Sequence, residues 1–210
     1  ACCEPGKTAY LSISDNPKRK LKYTWELLEM PGTLVGINTQ VPNKLVKNSI
    51  ESGRIPELGG YSKFQSEIKT SDHTRLDILL SEKNTESDGS SSASSEDPNT
   101  SNCYVEVKNC TLVEDGTAMF PDAVTTRGQK HLDELVALKE QGNRAVIFYL
   151  IQRTDAGIFT PAEQIDPVYA EKLVRAKEHG VEIITRDVEI ALNARPGIIR
   201  LNKPVPVRLD

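Results

Sequence analysis

Three charged residues on two predicted strands are the best candidates for chemistry in this sequence. CYVEVKNCTL, residues 103–112, has strand periodicity that places Glu106 and Lys108 on one face. In TRLDILL, residues 74–80, Asp77 lies on the face opposite Leu76 and Ile78. A hairpin of these strands would bring the carboxylates of Asp77 and Glu106 to within about 5 Å. Carboxylates that close repel unless a cation lies between them, and oxygen ligands suit Mg²⁺, which also binds substrate phosphates.

Such a site would favour attack on a phosphate. Water that coordinates the cation is a nucleophile, and Lys108 could position it or offset charge in the transition state. Charged residues that alternate with valine are also typical of a solvated strand face. Spacing alone leaves both interpretations of Glu106 and Lys108 open, and Asp77 on the neighbouring strand favours the active site.

The elements that would position these residues predict an α/β fold with a mixed sheet. A helix is expected from Thr126, capped together with Gln129, to Gly142. RAVIFYLI, residues 144–151, is apolar on both faces, which is typical of a central strand. A second helix is expected to start at Asp166 and Pro167, and a strand follows over residues 181–185. Strand, helix and strand in this order imply a parallel crossover.

Two segments differ from this pattern. Residues 1–31 predict the remnant of a small β domain, in which two short strands flank a basic turn, and residues 32–210 form the main domain. The main domain opens with a strand, LVGINT, and a helix for which Asn43 is the expected cap. Residues 84–102 are rich in Ser, Asp, Asn and Gly and predict a disordered insert at the tip of the hairpin.

Composition describes an ordinary globular chain of 210 residues with a formal net charge of −4. Residues 82–97 contain five acids and one base, which accounts for −4 and leaves the rest neutral, so a local basic groove is compatible with this charge. No apolar run reaches the roughly 18 residues of a membrane span. The four cysteines lack metal-ligand spacing and are expected to be free thiols in a reducing cytoplasm. The chain opens without Met or a secretory leader, and we expect a trimmed N-terminus.

Several motifs, in order, resemble the sugar fermentation stimulation protein A family over nearly the whole chain. They are SDNPKRK with TWELLE, INTQVPNKL, ELGGY, SEIKT, TRLDILL, YVEVKNCTL, FPDAVTTRGQKHLDEL and AVIFYLIQ. The resemblance implies a restriction-endonuclease-like core of the PD-(D/E)xK type, preceded by a truncated OB-like β domain. It implies that Asp77, Glu106 and Lys108 are catalytic, and that Asp77, Glu106 and Glu67 hold Mg²⁺ or Mn²⁺. Glu67 is expected on a helix, or else as a solvent-facing side chain.

The resemblance also implies that DNA is the partner. The candidate contacts are Lys18, Arg19, Lys20, Lys22, Arg127, Lys130 and His131, each of which has an ordinary surface or packing role as its alternative. Tyr23 and Trp25 would stack on bases or pack in a core. A homodimer is a further expectation, and a membrane partner is not.

Three functions follow as hypotheses. The first is a metal-dependent DNA endonuclease, with the role in regulating sugar catabolism, especially of maltose, that the resemblance implies. The second is a non-catalytic DNA-binding regulator on the same fold, and the third is a phosphoesterase for smaller nucleotides. An intact set of Asp, Glu and Lys favours an enzyme, because a pure binder has no need to hold two carboxylates near phosphates.

Overall fold

The computed structural model describes residues 5–71, 74–83, 102–193 and 197–209. Cys2, Cys3 and almost all of the predicted insert lie outside these residues. The strands are β1 (Ala9–Ile13), β2 (Tyr23–Met30), β3 (Thr33–Gly36), β4 (Tyr61–Lys69), β5 (Arg75–Lys83), β6 (Cys103–Cys110), β7 (Leu112–Glu114), β8 (Thr117–Phe120), β9 (Arg144–Ile151), β10 (Ile158–Pro161), β11 (Glu182–Ala191) and β12 (Ile198–Pro204). The helices are α1 (Val41–Glu51), α2 (Thr126–Glu140) and α3 (Pro167–Glu178), with a 3₁₀ turn at Pro56–Leu58.

A six-stranded mixed sheet forms the centre of the main domain, in the order β12-β11-β9-β6-β5-β4. Strand β9 is parallel to both β6 and β11, which confirms the predicted crossover through α3. Its residues from Ala145 to Ile151 are buried because both faces of the strand are covered, as its apolar sequence predicts. Cys103 and Cys110 are buried and form no disulfide within the described residues, and they lie in separate core clusters on opposite faces of β6, as their odd spacing requires.

Helices α2 and α3 pack on one face of this sheet and share a capping residue. Asp166 caps α3, as predicted, by accepting a hydrogen bond from the backbone N–H of Tyr169. It also accepts bonds from the N–H of Thr125 and the side-chain amide of Gln129, which ties the two helix starts together. Helix α2 begins at Thr126, as predicted, but its N-cap is Thr125, whose side chain accepts a hydrogen bond from the N–H of Gly128. The predicted capping box of Thr126 with Gln129 is therefore wrong by one residue.

The N-terminal sheet has the order β1-β2-β3 and is larger than the sequence predicted. Strand β3 pairs with β2, so the predicted boundary at residue 31 is wrong and the β domain extends through Gly36. Gly36 then contacts the main domain, because its N–H donates to the carbonyl oxygen of Gln152 at 2.8 Å. The helix that follows starts earlier than predicted: Gln40 is its N-cap, and Asn43 lies inside the first turn. Within the described residues, no helix is long and apolar enough to cross a membrane.

Candidate active site

The candidate site forms where strand β5 stops pairing with β6. Their antiparallel ladder runs through Leu80↔Cys103, Leu79↔Tyr104 and Ile78↔Val105. The next residue of β5, Asp77, uses its side chain instead: its Oδ2 accepts a hydrogen bond from the backbone N–H of Val107 at 2.8 Å. The ladder confirms the predicted antiparallel pairing of the two strands, and the charge of Glu106 is near enough to act on the carboxylate of Asp77.

Asn43 fixes the other oxygen of Asp77. Its side-chain amide donates to Oδ1 at 2.6 Å from the first turn of α1. The expected role of Asn43 as a helix cap is therefore wrong, and its amide orients an acidic side chain instead.

Glu106 is held by two side chains on the opposite side of the sheet from α1. Lys108 Nζ lies 2.7 Å from Glu106 Oε1, and His131 Nδ1 contacts the same oxygen. The second oxygen, Oε2, is buried and has no hydrogen-bond partner in the part of the chain that the structure describes. The exposed fraction of Glu106 is only 3%, so this carboxylate is not part of a solvated strand face.

Burial affects the two carboxylates differently. Burial raises the pKa of Asp77 to about 6, and the charge of Glu106 adds to the rise, against the opposing bonds from Val107 and Asn43. Burial also acts to raise the pKa of Glu106, but the hydrogen bond from His131 and the charge of Lys108 outweigh it and leave that pKa below its ordinary value. Glu106 is therefore the fixed negative charge, and Asp77 is the carboxylate that would gain most from a cation.

The residues fit a divalent cation, on the evidence of the buried, unpartnered Glu106 Oε2 beside the destabilised charge of Asp77. A hard cation satisfies both, and Mg²⁺ is bound in many proteins by one or two carboxylates with its remaining positions filled by water. The predicted third ligand does not join them. Glu67 lies on strand β4, not on a helix, and its side chain is exposed. Across the described ranges, no group of three or more His, Cys, Asp and Glu side chains is arranged to hold a metal ion.

A basic cleft of about 610 Å³ adjoins this site at the start of α2. Its cationic side chains are Lys69, Arg75, Arg127 and Lys130, and His131 forms part of its wall. Lys69 and Arg75 are cross-strand partners in the ladder of β4 and β5. This pairing places two cationic side chains on one side of the cleft.

The predicted DNA contacts fall into three groups. Arg127 and Lys130 are exposed in the basic cleft, where a phosphate would reach them. His131 is only 4% exposed and its imidazole contacts Glu106, which favours the packing role that was the alternative to DNA contact. The basic turn before β2 is exposed on the N-terminal sheet, with its cations at Lys18, Arg19, Lys20 and Lys22.

The aromatic pair of β2 lies on the same sheet as the basic turn. Tyr23 is 56% and Trp25 is 38% exposed, which excludes the alternative that they form a core within the described residues. The ring nitrogen of Trp25 donates to the carbonyl oxygen of Leu27, so the indole is held against its own strand.

Sequence reasoning missed the structural roles of Asn43 and His131 at the site. A signal for His131 was present, because it shares helical spacing with Leu135 and Leu138 on the buried stripe of α2. No comparable signal pointed from Asn43 to Asp77, since that contact joins residues 34 positions apart in the chain.

Comparisons with known proteins agree with this architecture. A family model described as the sugar fermentation stimulation protein RE domain matches residues 40–194, and one described as the SfsA N-terminal OB domain matches residues 1–37. A sugar fermentation stimulation protein homolog of Geobacter sulfurreducens is 46% identical over 206 residues, which span 98% of this chain and 80% of that protein. The homolog of Shewanella sediminis is 44% identical over an alignment of 217 positions, gaps included, which covers 99% of this chain and 83% of that protein.

A solved structure, that of Pyrococcus furiosus SfsA in complex with Ca²⁺, has the same fold. It superposes with a TM-score of 0.81 at 29% identity and covers 98% of this chain and 79% of that one. The two family models meet after β3, which supports the corrected domain boundary.

The mixed sheet, with an Asp at the end of one strand and Glu-x-Lys on the next, defines a restriction-endonuclease-like α/β fold preceded by an OB-type β domain. The chain belongs to the sugar fermentation stimulation protein family.

Proposed function

We propose that this protein is a Mg²⁺- or Mn²⁺-dependent DNA phosphodiester hydrolase. The observation that carries the proposal is the pair of carboxylates on Asp77 and Glu106. The charge of Glu106 raises the pKa of Asp77, Lys108 contacts Glu106 Oε1, and Glu106 Oε2 is buried without a hydrogen-bond partner among the described residues. A protein that only binds phosphates gains nothing from two carboxylates there, because they repel the ligand.

Each residue has a separate task in this proposal. Asp77 and Glu106 hold the cation, which when bound would neutralise the phosphate oxygens and acidify a water ligand. Lys108 carries a positive charge at the carboxylate pair, where it can turn towards the attacked phosphate and stabilise charge that develops in the transition state. Asn43 keeps the carboxylate of Asp77 in place.

The charge distribution supports a nucleic acid as the substrate. The basic cleft adds Arg75, Arg127 and Lys130 beside the carboxylates, and the exposed basic turn lies on a separate sheet. Two positive surfaces suit a polymer with many phosphates better than a small nucleotide. The Ca²⁺ of the Pyrococcus furiosus complex supports a site for a hard divalent cation in this family.

The test is cleavage of plasmid, linear duplex and single-stranded DNA with Mg²⁺, with Mn²⁺ or with EDTA. We expect metal-dependent cleavage by the wild type and at least a 100-fold loss in Asp77→Ala and in Lys108→Ala, as for removal of one group that stabilises the transition state. Glu163→Ala is the control, because it removes an exposed carboxylate that follows strand β10, and it should cleave like the wild type. Cleavage that persists in Asp77→Ala or in EDTA would refute the assignment.

A DNA-binding regulator without catalysis is the second candidate, favoured by the exposed Tyr23 and Trp25 beside the basic turn. A regulator of this kind would act in sugar catabolism by binding DNA without cleaving it. It predicts binding that weakens as salt rises and that is unchanged in Asp77→Ala, with no cut product under any metal.

A further inference from the structure

The buried His131 is not explained by metal binding or by DNA contact. It contacts Glu106 through one ring nitrogen and Arg127 through the other, since Arg127 Nε lies 3.4 Å from His131 Nε2. It is thus the link between a cation of the basic cleft and the carboxylate of the candidate metal site.

The neighbours of the imidazole determine the direction of its hydrogen bonds. An arginine Nε is only ever a donor, so His131 Nε2 must be the acceptor. The ring must then carry its hydrogen on Nδ1 and donate it to Glu106 Oε1, which as a carboxylate oxygen accepts. In the other tautomer, which carries its hydrogen on Nε2, two donors would face each other at Arg127, and the lone pair of Nδ1 would face the carboxylate of Glu106. The chain of donors therefore runs from Arg127 through His131 to Glu106.

Lys108 shares the same acceptor, which suggests what the imidazole is for. Lys108 Nζ is 2.7 Å from Glu106 Oε1 and 3.2 Å from His131 Nδ1, so two donors serve one oxygen. If Lys108 turns towards a phosphate, the bond from His131 keeps Oε1 satisfied and leaves Oε2, which has no hydrogen-bond partner among the described residues, available to a cation. Without His131, the ammonium of Lys108 would be the only partner of Oε1 and would be held there.

We propose that Arg127 and His131 form a positioning relay, in which a DNA phosphate bound by Arg127 stabilises the arrangement of Glu106 that holds metal and releases Lys108. This proposal rests on the proposed function and adds a role for two residues outside the ligand set. Arg127 can bind a phosphate with its terminal nitrogens while its Nε stays on His131, because its side chain is exposed in the basic cleft.

Two cleft cations provide a matched pair for the test. Arg127→Ala and Lys130→Ala each remove one positive charge from the same cleft, but only Arg127 contacts His131. We expect both variants to raise KM for DNA. Only Arg127→Ala should also lower kcat, by about tenfold or more, because only it interrupts the relay. Equal kcat values in the two variants would overturn the relay.

Two variants of His131 separate its bonds. His131→Asn keeps a donor near the position of Nδ1 and loses the acceptor for Arg127, whereas His131→Leu loses both. Isothermal titration with Mn²⁺ alone, without DNA, should show weaker binding in His131→Leu, by about tenfold as for other residues that orient metal ligands, and near-normal binding in His131→Asn. Thermal unfolding of each variant verifies that it is folded.

The two proposals fail in different ways. Unchanged Mn²⁺ affinity in a folded His131→Leu would overturn the relay even if the wild type cleaves DNA. Weakened Mn²⁺ affinity in that variant, rescued in His131→Asn, would support the link to Glu106 even if the wild type cleaves nothing.

Discussion

Asp77→Asn should make the metal-free protein more stable at neutral pH. Burial and Glu106 raise the pKa of Asp77 from 3.8 to about 6, so its ionised form is unfavourable in the folded chain. A shift of roughly 2 units corresponds to about 3 kcal/mol of folding free energy above pH 6. The amide oxygen introduced by the substitution can still accept from the Val107 N–H, and the exposed Asn43 can rotate to suit the new amide. The substitution therefore loses at most about 1 kcal/mol of hydrogen-bond stabilisation. The net gain is about 2 kcal/mol, or about 4–8 °C in Tm for a chain of this size.

The pH dependence gives this prediction its sign. Between about pH 4 and pH 6 the folded state binds a proton at Asp77 that the unfolded state releases, so this residue makes the wild type less stable as pH rises through that window. The advantage of Asp77→Asn should therefore be full at pH 8 and smaller at pH 5, where about half of the 3 kcal/mol remains. The advantage of Asp77→Asn should reverse when metal is present. A cation at 100 times its dissociation constant stabilises the wild type by about 2.7 kcal/mol, whereas the variant lacks one ligand for that cation and is stabilised less.

The assay is thermal and urea unfolding at pH 5 and pH 8, in EDTA and in Mg²⁺. Asp122→Asn is the matched control, since it neutralises an exposed carboxylate and should change stability by no more than about 0.5 kcal/mol. The reasoning fails if Asp77→Asn is no more stable than the wild type in EDTA at pH 8, or if its advantage is larger at pH 5 than at pH 8.

Three further predictions follow from the same geometry. The affinity of the wild type for Mn²⁺ should fall about tenfold per pH unit below pH 6, where Asp77 is protonated. Asn43→Ala should shift the pH at which this fall begins upward, because it removes a hydrogen bond that lowers the pKa of Asp77. Titration calorimetry from pH 5 to pH 8 tests both expectations. Gly36→Ala should destabilise the chain by about 1–3 kcal/mol in urea, because a methyl group there would lie 2.5 Å from Gln152 Oε1; an unchanged midpoint would contradict this packing. Burial raises the pKa of the Cys110 thiol to about 12, so mass-spectrometric mapping should find it alkylated by iodoacetamide at pH 8 only after unfolding; labelling of the folded protein would count against its burial.

The strand part of the site was predictable because it depends on local periodicity. Alternation predicted Asp77, Glu106 and Lys108 close together, and the register of the observed ladder, continued by one residue, puts Asp77 opposite Glu106. The predicted alternation of β5 breaks at Asp77, because Leu76 packs in one core cluster and Ile78 in the other. Glu67 was misplaced for a different reason: the resemblance, not periodicity, put it on a helix, whereas its segment forms edge strand β4. That strand contains a positive φ of 56° at Glu67, a conformation that sequence periodicity does not indicate.

The contacts made by helices were harder to predict, since they depend on the docking of α1 and α2 on the sheet. Asn43 was assigned as a cap because Asn is common there, although Pro42 at the start of α1 is an equally good boundary signal. The domain boundary failed for a related reason: Pro31 and Gly32 indicate a break, and here the break is a turn within one small sheet between β2 and β3.

The divergence of β5 from β6 explains how one sheet supports both acidic and basic groups. Beyond the pair Ile78↔Val105, no described strand continues the ladder on that side of β6, and the carboxylate of Asp77 accepts the hydrogen bond of the Val107 N–H instead. Strands β4 and β5 remain paired past this point, as far as Lys69 and Arg75. The pair of strands β4 and β5, which contributes Asp77 to the carboxylate pair, therefore also contributes two cations to the neighbouring cleft. A phosphate chain crossing from the cleft to the carboxylates would meet positive charge first and would need a cation to go further, which is the order that a metal-dependent hydrolase requires.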